Sequence, residues 1–161
     1  MTVTAARGAG FVTLGTLLCF VLFFGSVGAA GLPREALLPL DLAVKAADAA
    51  LRKCTADGYR VSVAVVDRGG VLKVLLRADG AGPHTPDSSR KKAYTAASLL
   101  RPTAEFAALI AEKPALQGLR DMNEDILILA GGLPIGIDGE VVGGIGVGGA
   151  PGGHLDEACA R

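Results

Sequence analysis

The spacing of apolar residues changes period several times along the chain, and each change marks an element. Residues 10–30 (GFVTLGTLLCFVLFFGSVGAA) are apolar almost throughout and have no polar face. Residues 32–39 carry Pro33 and Pro39 and read as a short linker. From Asp41 onward, Ala43, Ala46, Ala47, Ala50 and Cys54 keep the spacing of one helix face, with Asp41, Lys45, Asp48 and Arg52 on the other. Asp41 with Lys45 and Asp48 with Arg52 put each acid one turn before its base, the favourable order. Asp57-Gly58 ends this predicted helix.

Alternation then takes over. Residues 60–66 (RVSVAVV) and 71–77 (VLKVLLR) are rich in β-formers, and Asp67-Arg68-Gly69-Gly70 between them predicts an antiparallel hairpin. Glycines and prolines make residues 78–86 a loop, with His84 in it. Asp87, Ser88 and Ser89 are candidate N-caps for a helix reaching about Leu100; after Pro102, Thr103 can cap a shorter helix that ends before Pro114. Residues 117–125 read as irregular and acidic. Residues 126–130 are apolar on both faces, which predicts a central buried strand.

Residues 129–153 hold nearly half of the chain's 23 glycines and read as a β-hairpin turning at Asp138-Gly139. Asp-Gly between apolar alternations suits a two-residue type I′ turn, in which both central residues need φ > 0. So many absent side chains weaken strands unless another backbone, a partner subunit or a flat ligand packs closely on them. A short helix then closes the chain. The predicted fold class is α/β of the α+β type, a single domain over residues 40–161 with an antiparallel five-stranded sheet packed with helices.

The chain balances 16 Lys and Arg against 16 Asp and Glu, with signs scattered and no Trp, which argues against nucleic acid as a partner. Residues 1–30 follow the layout of a secretory signal peptide: Arg7, an apolar run, then small residues with cleavage expected after Ala30. About 20 apolar residues would equally span a bilayer if left uncleaved, giving an N-terminal anchor. Either way the expected location is extracytoplasmic, secreted or periplasmic, or membrane-anchored if the segment stays. Cys54 and Cys159 remain beyond residue 30; they could pair in such a compartment, and Cys54 also fits a helix core face as a small buried hydrophobe.

Imidazole chemistry is limited to His84 and His154, neither of which has zinc-site spacing. Arg90-Lys91-Lys92 falls in the first turn of the predicted helix from Asp87, where cations oppose the helix dipole. Free amides plus these cations would make an anion site, for carboxylates or phosphates. Tyr94 offers a phenol for stacking or ligation, though a core aromatic reads equally well. The run from Asp121 to Asp125 lacks an EF-hand pattern, no G-x-S-x-G or phosphate loop occurs, and the glycines of 143–148 lie within a strand with no long helix after them.

Three ordered blocks, VAVVDRGGVLKVLLRADGAGPHTPDSSRKKAYTAASL, RPTAEF and GGLPIGIDGEVVGGIGVGGAPGGHLDEACA, resemble the GlcG/HbpS family, also met as the C-terminal domain of PduO-type proteins. The matching positions include Asp67 and Gly70, Asp79-Gly80, Lys92-Ala93 with Thr95-Ala96, residues 131–134 and Asp138-Gly139; the last helix stops short of the family pattern. The resemblance implies an antiparallel α/β domain that forms homo-oligomers. In some members it implies an extracytoplasmic role in haem binding, haem uptake or redox sensing. With haem as cofactor, Arg90, Lys91 and Lys92 are expected to meet its propionates and His84 or Tyr94 its iron, with His154 a further metal-ligand candidate. The alternatives are an oligomeric accessory protein for a membrane sensor, its glycine hairpin buried between subunits, and a binding protein or enzyme for a small organic acid.

Overall fold

The computed structural model describes residues 31, 32 and 34–161; the predicted leader and its cleavage point lie outside the described residues. Helix α1 (Leu40–Ala56) leads into the hairpin of β1 (Ser62–Asp67) and β2 (Leu72–Arg77). Helices α2 (Thr85–Leu99) and α3 (Thr103–Glu112) follow, then a 3-10 turn (Pro114–Arg120). The hairpin of β3 (Gly132–Ile137) and β4 (Glu140–Gly148) and helix α4 (Gly153–Ala160) complete the domain. All pairings are antiparallel in the order β2-β1-β4-β3.

Among the described residues the sheet has four strands, not the predicted five. Residues 126–130 are irregular, because side chains rather than a neighbouring strand take their backbone groups. The Leu127 amide donates to Thr95 Oγ1 at 2.8 Å, Thr103 Oγ1 donates to the Leu129 carbonyl at 2.8 Å, and Arg120 donates to that of Ile128 at 2.9 Å. Ile126 and Ile128 bury with Ile110 in a satellite cluster beside Tyr94 and Phe106. A short apolar run is compatible with several buried conformations, and here the tertiary partners chose the irregular one.

Both faces of the sheet are covered. On one, Val63, Val65, Val74, Leu133, Ile145 and Val147 pack with Ala43, Ala47, Ala50 and Cys54 of α1 and Cys159 of α4. On the other, Ala64 and Val66 meet Ala93 and Ala97 of α2. Strand β1 therefore has no polar side to show, as its sequence VAVV records. Cys54 serves both readings open to it, since it is fully buried and also bonded to Cys159, with Cα atoms 5.4 Å apart across 105 residues.

The turn at Asp138-Gly139 has φ of 51° and 84°, the pair of positive values that a type I′ connection requires. The hairpin's glycines face neither a ligand nor a subunit on their α2 side, because α2 itself lies against them. A Cβ at Gly146 would sit 2.1 Å from the Ser89 carbonyl oxygen, and one at Gly144 2.3 Å from that of Ala93. The close approach expected from the glycines is thus intramolecular, helix backbone on strand backbone.

Gly146→Ala should cost about 3 kcal/mol or more of stability, since backbone must move to admit the methyl group. Gly118→Ala, where a Cβ meets nothing within 4 Å, should change stability by under about 0.5 kcal/mol. Urea unfolding of both variants checks this; equal stability would contradict the packing.

Candidate functional site

Helix α2 begins at Thr85 with Pro86 in its first turn, earlier than the caps at Asp87, Ser88 and Ser89 predict. Proline is well placed there, having no amide to leave unpaired. Arg90, Lys91 and Lys92 consequently fall in the second and third turns, where the amides already bond within the helix. The predicted cradle of free amides does not form around them.

The three cations also part company. Arg90 donates to Asp125 at 2.8 Å and to Asp87 at 3.1 Å, and Lys91 lies 3.2 Å from Asp87. Burial pushes the Asp87 carboxyl up, yet hydrogen bonds from Lys91 and Arg90 prevail and hold it below the usual aspartate range. The hydrogen bond to Asp125, against the opposing effect of burial, raises the affinity of Arg90 for its proton.

Lys92 points inward, contrary to the expectation that it meets an anion at the surface. Its side chain is 2% exposed, and Nζ donates to Asp156 Oδ2 at 2.7 Å and to the Val147 carbonyl at 2.9 Å. Asp156 Oδ1 accepts the Ala150 amide at 2.9 Å, so the pair joins α2, β4, the loop after β4 and α4. Glycines make room for this lysine: a Cβ at Gly131 would lie 2.9 Å from its Nζ, and one at Gly146 3.0 Å from its Cβ.

His84 is exposed at the start of α2. Tyr94 is half-buried against Gly70, beside a recess of only about 90 Å³. Ten residues of helix separate the two by about 15 Å, too far to share one iron. His154 is exposed on α4, next to a different cavity. His84, Tyr94 and His154 therefore do not converge on one centre.

An open groove of about 760 Å³ lies elsewhere, between α1, the sheet and α4. Ala46, Ala49 and Ala50 form one wall, Leu133, Pro134, Ile135 and Ile145 the floor, and residues 158–161 the other wall. Lys53 and Arg161 also line it. Each pairs with an acid one turn away along the chain, Lys53 with exposed Asp57 and Arg161 with the largely buried Glu157, and the exposed Lys53–Asp57 pair is weak enough to yield to a ligand. The disulfide fastens the α1 wall to the α4 wall. Sequence reading missed this groove, because Ala46 and Ala50 read as part of an ordinary core-facing helix stripe until α4 is folded beside them. Asp156 was equally hidden, its one sign being an acid at the start of the last helix.

The model of the HbpS-like family, described as haem degrading protein HbpS-like, matches residues 38–161. The chain belongs to this family. A double mutant of HbpS from Streptomyces reticuli is 42% identical and superposes with a TM-score of 0.74, over 97% of this chain and 94% of that one. An uncharacterized 15.0 kDa protein from the dhaT-dhaS intergenic region of Citrobacter freundii is 36% identical over 115 residues, 71% of this chain and 81% of that protein. The PduOC:heme complex is 25% identical with a TM-score of 0.71, covering 78% of this chain and 91% of that one. The GlcG/HbpS resemblance and the antiparallel α+β fold it implied both hold.

Removing one partner of the Lys92–Asp156 pair strands a buried charge, so Lys92→Met should cost about 3–5 kcal/mol. The double variant Lys92→Met with Asp156→Leu should regain most of that loss. Denaturant melts of the two check it; a Lys92→Met protein as stable as the native one would contradict a buried pair.

Proposed function

We propose that this protein binds haem in the groove between α1, β3 and α4. The observation that carries the reading is the groove's chemistry, an open slot of about 760 Å³ with alanine and aliphatic side chains on its walls and Lys53 and Arg161 among its lining residues. Ligand sites commonly have volumes of about 300–1,000 Å³ and apolar walls with a few polar groups. Aliphatic side chains suit the flat macrocycle, and the two cations suit its propionates. Family membership and likeness to the PduOC:heme complex support the same ligand. The lining contains no imidazole, phenol or free thiol, so the groove's own residues would hold the ring and its carboxylates. Haem, when bound, supplies redox and oxygen chemistry at its iron.

The protein works outside the cytoplasm in this reading. The apolar segment at residues 10–30 and the Cys54–Cys159 disulfide support it, since such bonds persist in oxidising compartments. Self-association is part of the reading as well: Leu72 and Leu75 are exposed on edge strand β2, with Val71 exposed just before it.

Hemin titration tests the proposal. The native protein should show a saturable Soret change, and Ala49→Trp, which fills the groove from an exposed helix position, should abolish it. Lys53→Glu with Arg161→Glu should weaken binding about tenfold or more, whereas His84→Ala and Tyr94→Ala should leave it intact. Light scattering on the same samples should find a species heavier than the 16.2 kDa chain. No saturable Soret change with native protein, or an unaltered one with Ala49→Trp, would overturn the site.

A further inference from the structure

We propose that one end of the domain rests on a lipid bilayer, tethered there by the apolar run of residues 10–30. Several elements meet at this end of the sheet. A Cβ at Gly143 of β4 would lie 3.1 Å from Leu38, just before α1, and Gly143 pairs with Asp67 at the close of β1. Arg68, in the β1–β2 turn, donates to the Ala97 carbonyl at 3.2 Å, which brings the last turn of α2 alongside. Arg34, Glu35 and Ala36 share a recess with Arg68, Leu100 and Gly139 of the second hairpin turn. The start of α1, both hairpin turns and the C-terminus of α2 therefore share one end. Helix α2 begins at the other, where the Thr85 and Ser62 hydroxyls are hydrogen-bonded at 2.7 Å.

Large apolar side chains stand uncovered at the shared end. Leu37, Leu40, Val44 and Leu100 are 45% to 80% exposed. Leu40 and Val44 lie one turn apart on a common flank of α1. Leu100 is the sharper case. It caps α2 with φ of 59°, in the left-handed region that glycine adopts freely and a leucine adopts only under strain. Burial does not offset that strain, since 47% of the residue is exposed. A contact outside the domain gives this leucine a use that packing within it does not.

A bilayer is the occupant that the chain itself indicates. Residues 10–30 are long and apolar enough to span one. Only Gly31, Leu32 and Pro33 separate that run from Arg34, roughly 14 Å of chain at full extension. Charges of both signs flank the leucines, Arg34 beside Glu35 and Lys45 paired with Asp41, so the contact is apolar rather than electrostatic. Leucines on a helix start suit the boundary between headgroups and acyl chains.

The chain has no Trp, so single-tryptophan variants report on one position at a time. The full chain carrying Leu40→Trp or Leu100→Trp is reconstituted in phosphatidylcholine vesicles. Its fluorescence should fall at least about twofold when the lipid is brominated on its acyl chains, because side chains seated at this boundary lie roughly 5–10 Å deep. Asp79→Trp, exposed in the loop after β2 at the opposite end of the sheet, should be unaffected. All three positions are on the surface, where substitution leaves the core intact. Emission from the Leu40→Trp and Leu100→Trp variants that brominated lipid leaves unquenched would overturn the proposal; if it were also blue-shifted, protein, such as a second copy, would be covering the leucines instead of lipid. Equal quenching of the Asp79→Trp variant would overturn it too, since the domain would then meet the bilayer with no preferred end.

Discussion

Helix α2 rests on the sheet at backbone distance, and most of the molecule follows from that contact. Gly144 and Gly146 of β4 present no side chains to it, so Ser89 and Ala93 of the helix come down onto the strand itself. The same glycines open a path for the Lys92 stem. Its ammonium reaches past Gly131 to Asp156 at the start of α4, a helix of eight residues that would not persist alone. The buried pair and the disulfide then hold α4 from its two ends, Asp156 tied to α2 and Cys159 to α1. Without this anchoring the groove would lose a wall.

Much of this frame was legible in the sequence because local chemistry and tertiary packing agree there. Alternating VAVV and VLKVLL around Asp67-Arg68-Gly69-Gly70 became β1 and β2, and Asp138-Gly139 turned the second hairpin with the positive φ values its type requires. The small face of α1 was read from its alanines. Where reading failed, partners distant in sequence decided. Residues 126–130 look like a strand, but Thr95, Thr103 and Arg120 take their backbone groups. Lys92 looks like one of three surface cations, and only the gap left by Gly131 and Gly146 turns it inward.

The candidate site was less legible than the fold. Rare and chemically versatile residues drew attention to His84, Arg90 and Tyr94, yet His84 and Tyr94 lie about 15 Å apart along α2 and Arg90 is engaged by Asp125 and Asp87. The groove instead is lined by alanines, aliphatics and two cations, a composition that sequence alone cannot distinguish from an ordinary amphipathic helix and strand. The groove exists only through the juxtaposition of α1, β3 and α4. Aliphatic walls with a cation on α1 and another at the end of α4 are what a flat, apolar dicarboxylate asks for, and on that chemistry the proposed haem site rests.

Paramagnetic broadening of backbone amides by ferric hemin reports that place directly. The account predicts that substoichiometric hemin broadens resonances of residues 46–53, 133–135 and 158–161 while sparing residues 84–94. Broadening centred on residues 84–94, with the groove unaffected, would contradict it.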